Sequence, residues 1–216
     1  MALATVGILA LAGCRPQSGV AAYVGDHEIT EDRVTGIVDD LKQKVDEQLH
    51  GQLPARIDVV RMLVLGDLCE LVSSEKGYQP QQKITAEMVA QGYGMPADSG
   101  FVEQVARLHT CLSGVSAPPV APDPDELADL VARGKAAGVI PAEVPVAEAA
   151  AQLDGEQLRG ALAQQRLFSE AAETYEVAVS PRYRPLTFPL LSFNDQSIAV
   201  DVPLGEPASD AVIDAR

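Results

Sequence analysis

The residues of this chain with the greatest capacity for covalent or metal chemistry are its cysteines and histidines. The cysteines lie at positions 14, 69 and 111, and the histidines lie far apart at positions 27, 50 and 109. The chain has no Cys-x-x-Cys spacing of the kind that metal sites use, and it lacks the G-x-S-x-G, P-loop and H-E-x-x-H motifs. The sequence therefore predicts no metal site, no cofactor and no catalytic residue, and we expect a protein that is not an enzyme.

Cys14 follows an apolar stretch at the start of the chain. Residues 2–13 carry no charge, and they are too few to span a bilayer as a helix, which takes about 20 residues. The order Leu11-Ala12-Gly13-Cys14 resembles a bacterial lipobox, in which the cysteine is diacylated and becomes the mature N-terminus. We therefore expect a lipoprotein signal peptide over residues 1–13, lipidation of Cys14 and a tether over residues 14–19. The alternative is a buried apolar helix with an ordinary core cysteine.

If Cys14 carries lipid, Cys69 and Cys111 remain as an even pair in an oxidising compartment. Each falls in a predicted helix, so we expect a helix-to-helix disulfide. Closing a loop of this size contributes about 4 kcal/mol in the chain-entropy treatment. The alternative is a pair of separate buried thiols.

The composition indicates one folded domain with an acidic surface. The chain has 216 residues, of which 47% are hydrophobic and only 4% are aromatic, so we expect a core of Leu, Val and Ala. The net charge of −15 argues against nucleic-acid binding, which needs a basic face. An acidic surface that aids solubility is the simplest interpretation of this charge.

Hydrophobic spacing predicts a largely helical chain between two strand-like ends. A strand over residues 20–24, a turn at Gly25-Asp26 and an N-cap at Thr30 lead into a helix over residues 31–49. Further helices are predicted at residues 55–76, 85–91, 99–112, 124–138, 146–153 and 156–175, and strands at 176–179 and 197–202. Asp123 and Glu126 predict a capping box at the start of one helix. Residues 185–216 are predicted to form a Pro-containing, partly disordered tail.

Two short motifs at the ends of the predicted domain resemble the SurA/PrsA family of exported chaperones and foldases. They are Val24-Gly25-Asp26-His27-Glu28-Ile29-Thr30 and Val177-Ala178-Val179-Ser180-Pro181-Arg182-Tyr183. The resemblance covers residues 20–184 and implies a mainly α, SurA N-terminal-domain-like helical bundle. It also implies a small sheet that pairs the first strand with the strand after the last long helix. The family's parvulin isomerase domain is not recognisable here, since the chain has no Gly-Gly turn and residues 78–153 are predicted to form helices and Pro-rich links.

The resemblance and the lipobox together imply a lipid-anchored chaperone at the outer face of the cytoplasmic membrane, in the bacterial cell envelope. Its expected partners are unfolded or nascent exported polypeptides, with the membrane held through Cys14, and no nucleic acid. Candidate client-binding side chains are the adaptable or aromatic residues Met62, Tyr93, Met95 and Phe101, each of which could equally be a core residue. The alternative function is a non-chaperone interaction or scaffold lipoprotein of the envelope with the same fold.

Overall fold

The computed structural model describes residues 19–47, 52–194 and 197–205. Its elements are β1 (Val20–Val24), β2 (His27–Thr30), α1 (Glu31–Lys44), α2 (Arg56–Lys76), α3 (Ala86–Tyr93), α4 (Gly100–Leu112), α5 (Pro124–Ala136), α6 (Val146–Leu153), α7 (Glu156–Thr174), β3 (Ala178–Val179), a 3-10 turn (Pro181–Tyr183), β4 (Thr187–Asn194) and β5 (Ser197–Pro203). This mainly helical fold with small antiparallel sheets confirms the predicted fold class. The predicted signal peptide, Cys14 and nearly all of the predicted tether lie outside the described residues.

Several helices begin where a side-chain oxygen caps a free backbone N–H group of the first turn. Thr30 caps α1 by accepting from the N–H group three residues later. Asp123 and Glu126 accept from each other's backbone N–H groups at the start of α5, which completes a capping box. Thr85 and Ser99 cap α3 and α4. These hydrogen bonds confirm the predicted caps at Thr30 and Asp123. Both caps are predictable because a short polar residue stands directly before an apolar periodic segment.

β1 is the central strand of a three-stranded antiparallel sheet with the order β2–β1–β3. Ala22 pairs with Val179, so the strand after α7 returns to the first strand of the domain, as the family resemblance implies. The N–H of Ser180 donates to the Ala21 carbonyl at 2.9 Å and continues this contact. The sheet therefore joins the two segments that carry the end motifs.

α2 is the central helix and contacts α1, α4, α7 and β1. Nine of its side chains are buried, including the consecutive residues 62–65, so they cannot all lie on one face. Neighbouring elements therefore pack against α2 on several sides. The main core is therefore built around α2.

The segment after residue 184 differs from the predicted tail. Its described part forms a hairpin of β4 and β5 that packs on α7 and α5. Leu186, Val202 and Leu204 are buried in the main core, while Ala199 and Val200 belong to a second core beneath the hairpin. The folded body therefore continues to residue 205 rather than ending near residue 184.

One strand and one helix boundary also differ from the prediction. β4 was not predicted, because Pro189 interrupts its pattern; proline is tolerated there because both strands of a two-stranded sheet are edge strands. α1 ends at Lys44 rather than at residue 49, since Val45 has an extended backbone with φ −118° and ψ 143°. The predicted last turn of that helix falls partly outside the described residues.

Candidate functional site

The four side chains predicted to bind client chains do not lie together on one surface. Met62 and Phe101 are each 6% exposed and belong to the main core, so the structure contradicts a binding role for them. Met95 is half-buried against the same core, whereas Tyr93 is 54% exposed at the end of α3. The correction has a simple cause: large apolar residues at helical spacing look the same in a sequence whether they fill a core or line a binding surface.

An open groove lies between α2, α4 and residues 80–87. We call it the α2–α4 groove, and its volume is about 710 Å³. The size falls within the range of ordinary ligand sites. Ala106 and Cys111 are buried at its base, and Ile84 lines one side, half-buried. Its exposed lining residues include Pro80 and the charged side chains discussed below.

One wall of the α2–α4 groove is an irregular segment held by hydroxyl groups of α4 and the residue that ends it. Thr110 Oγ1 accepts from the N–H of Ile84 at 2.9 Å and donates to the carbonyl of the same residue at 3.2 Å. Ser113 Oγ makes the same two contacts with Gln82, at 3.1 and 2.9 Å. The two hydroxyls thereby satisfy backbone groups that a strand partner would otherwise satisfy. This wall is fixed to α4 without regular secondary structure.

Two cross-links join α2 to α4 at the groove. The structure brings Cys69 and Cys111 together as the predicted disulfide pair. Arg107 donates from Nε and Nη2 to the two carboxylate oxygens of Glu70, and this pairing raises the pKa of the guanidinium. A bidentate pair fixes geometry as well as charge. The spacing of the two helices, and with it the width of the groove, is therefore held by covalent and ionic contacts.

The groove carries an excess of negative charge. Its lining contains three carboxylates, of Glu70, Glu87 and Glu103, against the cations of Lys83 and Arg107. Hydrogen bonds hold the pKa of the Glu87 carboxyl below its usual range, with the largest effect from its own backbone N–H and a smaller one from the side chain of Thr85. The Glu87 carboxyl is therefore ionised at neutral pH. The groove can therefore take an apolar group at its base and a cation at its rim.

A second polar cluster surrounds Glu31, at the place where the two end motifs meet. Glu31 Oε2 accepts from the hydroxyl of Tyr183 at 2.8 Å and from Arg56 Nη2 at 2.7 Å. Arg182 Nη1 lies 3.1 Å from the other carboxylate oxygen. The Ser-Pro-Arg-Tyr segment thus contacts the residue that directly follows the Ile-Thr pair. These contacts fasten the closing motif to the start of α1, a structural role.

Opposing influences act on the pKa of Glu31. Burial raises it and is the largest single cause, but the hydrogen bonds from Tyr183 and Arg56, with the charges of Arg182 and Arg56, outweigh burial. The net pKa lies below the ordinary value of 4.5. Local sequence patterns cannot reveal these partners of Glu31, because Arg56 lies 25 residues away and Tyr183 lies 152 residues away.

Other kinds of site find no support within the described ranges 19–47, 52–194 and 197–205. No group of His, Cys, Asp and Glu there could hold a metal ion, and none of the helices there is both long and apolar enough to cross a membrane. Comparison of the chain with protein-family models, with curated proteins and with solved structures finds no match. The functional interpretation therefore rests on the residues of this chain and on their arrangement.

Proposed function

We propose that this protein is a lipid-anchored extracytoplasmic chaperone that binds unfolded exported polypeptides without catalysis. The observation that carries the proposal is the α2–α4 groove, with Ala106 and Cys111 at its base and charged side chains at its rim. An open groove of this kind accepts the side chain of an extended polypeptide without enclosing the chain. Burial of apolar client groups would drive such binding, and weak, reversible contacts suit a protein that must release its clients.

The end motifs support a relationship to the SurA/PrsA chaperones. β3 pairs with β1, and Tyr183 of the closing motif donates to Glu31, directly beyond the opening motif. The residues that carry the resemblance therefore contact one another in the fold. Two short segments that matched the family by chance would have no reason to do so. The absence of a recognisable parvulin domain from the sequence places peptidyl-prolyl isomerisation outside this proposal.

Anchoring at the envelope rests on Cys14 and on the cysteine pair. A disulfide between Cys69 and Cys111 would persist in an oxidising compartment, as expected of an exported protein. Intact mass measurement on protein isolated from its native membrane tests both points. Diacylation at Cys14 with a mature N-terminus there supports the proposal, whereas an unprocessed and unlipidated chain contradicts the anchor and the compartment.

The chaperone proposal is tested by aggregation of an unfolded exported protein in the presence of this chain. We expect near-stoichiometric suppression by the natural sequence and loss of suppression in Ala106→Leu, because the added methyl groups enter the groove from its base. Ala86→Leu, at a half-buried lining position, repeats the test in case the first variant is overpacked. Ala151→Leu, at an exposed position on α6, is the matched control and should keep full suppression.

Thermal unfolding of all four proteins shows whether any lost suppression reflects lost folding. If the natural sequence does not slow aggregation at any ratio, the chaperone proposal is wrong. If the groove variants fold and suppress aggregation as well as the control does, clients bind elsewhere.

A second candidate function is an envelope scaffold that binds one folded partner. The observation in its favour is that large exposed apolar side chains are few among the described residues and lie on several elements; they are Met88, Tyr93, Val139, Val146 and Ile198. A general holdase usually exposes a broader apolar surface. Recovery of one stoichiometric partner from detergent-solubilised membranes, without affinity for unfolded chains, would favour the scaffold.

A further inference from the structure

The charges that line the α2–α4 groove limit which polypeptide segments can bind there. Arg107 is already neutralised by its bidentate contact with Glu70. The negative charge of Asp67, on the same helix as Glu70, also stabilises the charged guanidinium of Arg107. Arg107 is therefore a poor partner for a client carboxylate, since any such contact would have to displace an existing one.

The carboxylates of the groove that remain outside this pair are those of Glu87 and Glu103. Both are exposed, and each stands in the first turn of its helix, Glu87 in α3 and Glu103 in α4. Besides Arg107, the described lining residues include one cation, Lys83, so these two carboxylates outnumber it. The chain as a whole has a net charge of −15, which adds to the negative potential.

We infer that the α2–α4 groove selects extended segments in which Lys or Arg stands beside a small or medium apolar side chain. The apolar side chain would pack on Ala106 and Cys111, and the neighbouring cation would lie against Glu87 or Glu103. This inference rests on the proposed chaperone function and narrows its clients to basic apolar segments. Segments with an acidic residue at the same place would be repelled by the same two carboxylates.

The effect of each carboxylate can be stated as a ratio of affinities. An exposed ion pair of this kind changes a dissociation constant by about threefold. A segment with a cation on each side of its apolar residue, one against each carboxylate, should therefore be favoured over its uncharged counterpart by about tenfold at low salt. The preference should shrink strongly at about 0.3 M salt, because the rim is open to solvent.

The test uses fluorescence anisotropy with three labelled peptides that share a central Leu and differ only in flanking Lys, Gln or Glu. We expect the Lys peptide to bind most tightly to the natural protein and to lose about tenfold in affinity with Glu87→Gln/Glu103→Gln. The affinity for the Gln peptide should not change. The control is Glu148→Gln/Glu156→Gln, which removes two exposed first-turn carboxylates from α6 and α7 and changes the net charge equally.

The outcomes distinguish failure of this inference alone from failure of the proposed function. Binding of all three peptides with equal affinity would overturn the charge selection and leave the chaperone proposal standing. An equal loss in the control variant would assign the preference to the overall charge of the protein and overturn selection by the groove. Failure of every peptide to bind, together with no suppression of aggregation, would overturn both.

Discussion

Removal of one hydroxyl group tests whether the Glu31 cluster holds the two end motifs together. Tyr183→Phe deletes the phenolic oxygen that donates to Glu31 at 2.8 Å and leaves the aromatic ring in place. Tyr183 is 5% exposed, and the side chain of Glu31 is 12% exposed, so water cannot readily replace the lost donor. The deleted oxygen also lies 3.4 Å from Arg56 Nε, which donates to it.

The expected cost follows from this burial. A hydrogen bond to a charged, largely buried carboxylate contributes about 1.5–3 kcal/mol, so we expect the free energy of unfolding to fall by about 2 kcal/mol. Tyr175→Phe is the matched control, because its hydroxyl also donates to a glutamate, Glu75, but on the exposed surface. That contact should contribute no more than about 0.5 kcal/mol.

The dependence on pH gives a second readout. The pKa of Glu31 is lower in the folded protein than the ordinary 4.5, so its ionisation stabilises the fold above about pH 4.5. That stability is lost as the pH falls through the lower, folded pKa. The difference between Tyr183→Phe and the natural protein should therefore be full at pH 7 and shrink below pH 4.5.

The assay is urea unfolding followed by far-ultraviolet circular dichroism, at several pH values from 7 to 3. Equal losses in Tyr183→Phe and Tyr175→Phe would refute the argument from burial. A penalty in Tyr183→Phe that stays constant down to pH 3 would refute the assignment of the effect to ionised Glu31.

Further predictions concern the cross-linked helices and the close approach of the groove wall. Reduction of the Cys69–Cys111 bond, which spans 42 residues, should lower the free energy of unfolding by about 4 kcal/mol. Reduction should also add the mass of two hydrogen atoms, and an unchanged mass would exclude the bond. Gly114→Ala should cost about 1–3 kcal/mol in urea unfolding, because its Cβ would lie 2.5 Å from the carbonyl oxygen of Gln79. Gly66→Ala, inside α2 with open space around the new methyl group, should instead stabilise by about 0.5–1 kcal/mol, and a loss there would contradict the packing described.

Local chemistry explains why most helix starts could be predicted. Asp123, Pro124 and Glu126 supply a cap, a fixed φ and a reciprocal acceptor within four residues, and α5 begins at Pro124. Thr30 supplies the cap for α1. Such signals depend only on neighbours in the chain, so they need no knowledge of tertiary structure.

Tertiary packing decided the features that the sequence pattern missed. β4 forms despite Pro189 because β5 and α7 cover it, and its own pattern gives little sign of a strand. Met62 and Phe101 suit client binding by their flexible and aromatic side chains, yet their neighbours bury them. In each case the deciding contacts come from residues distant in the chain.

The α2–α4 groove is the extreme case, since the contacts that build it join residues far apart in sequence. The bonds of Thr110 to Ile84 and of Ser113 to Gln82 span 26 and 31 residues, and that of Arg107 to Glu70 spans 37. No window of helical or strand periodicity can reveal such pairs. Because side-chain contacts hold the groove wall in place of a regular ladder, single substitutions there should change the shape of the groove while the core around α2 stays folded. The surface on which the proposed function depends is therefore also the surface most open to change by substitution.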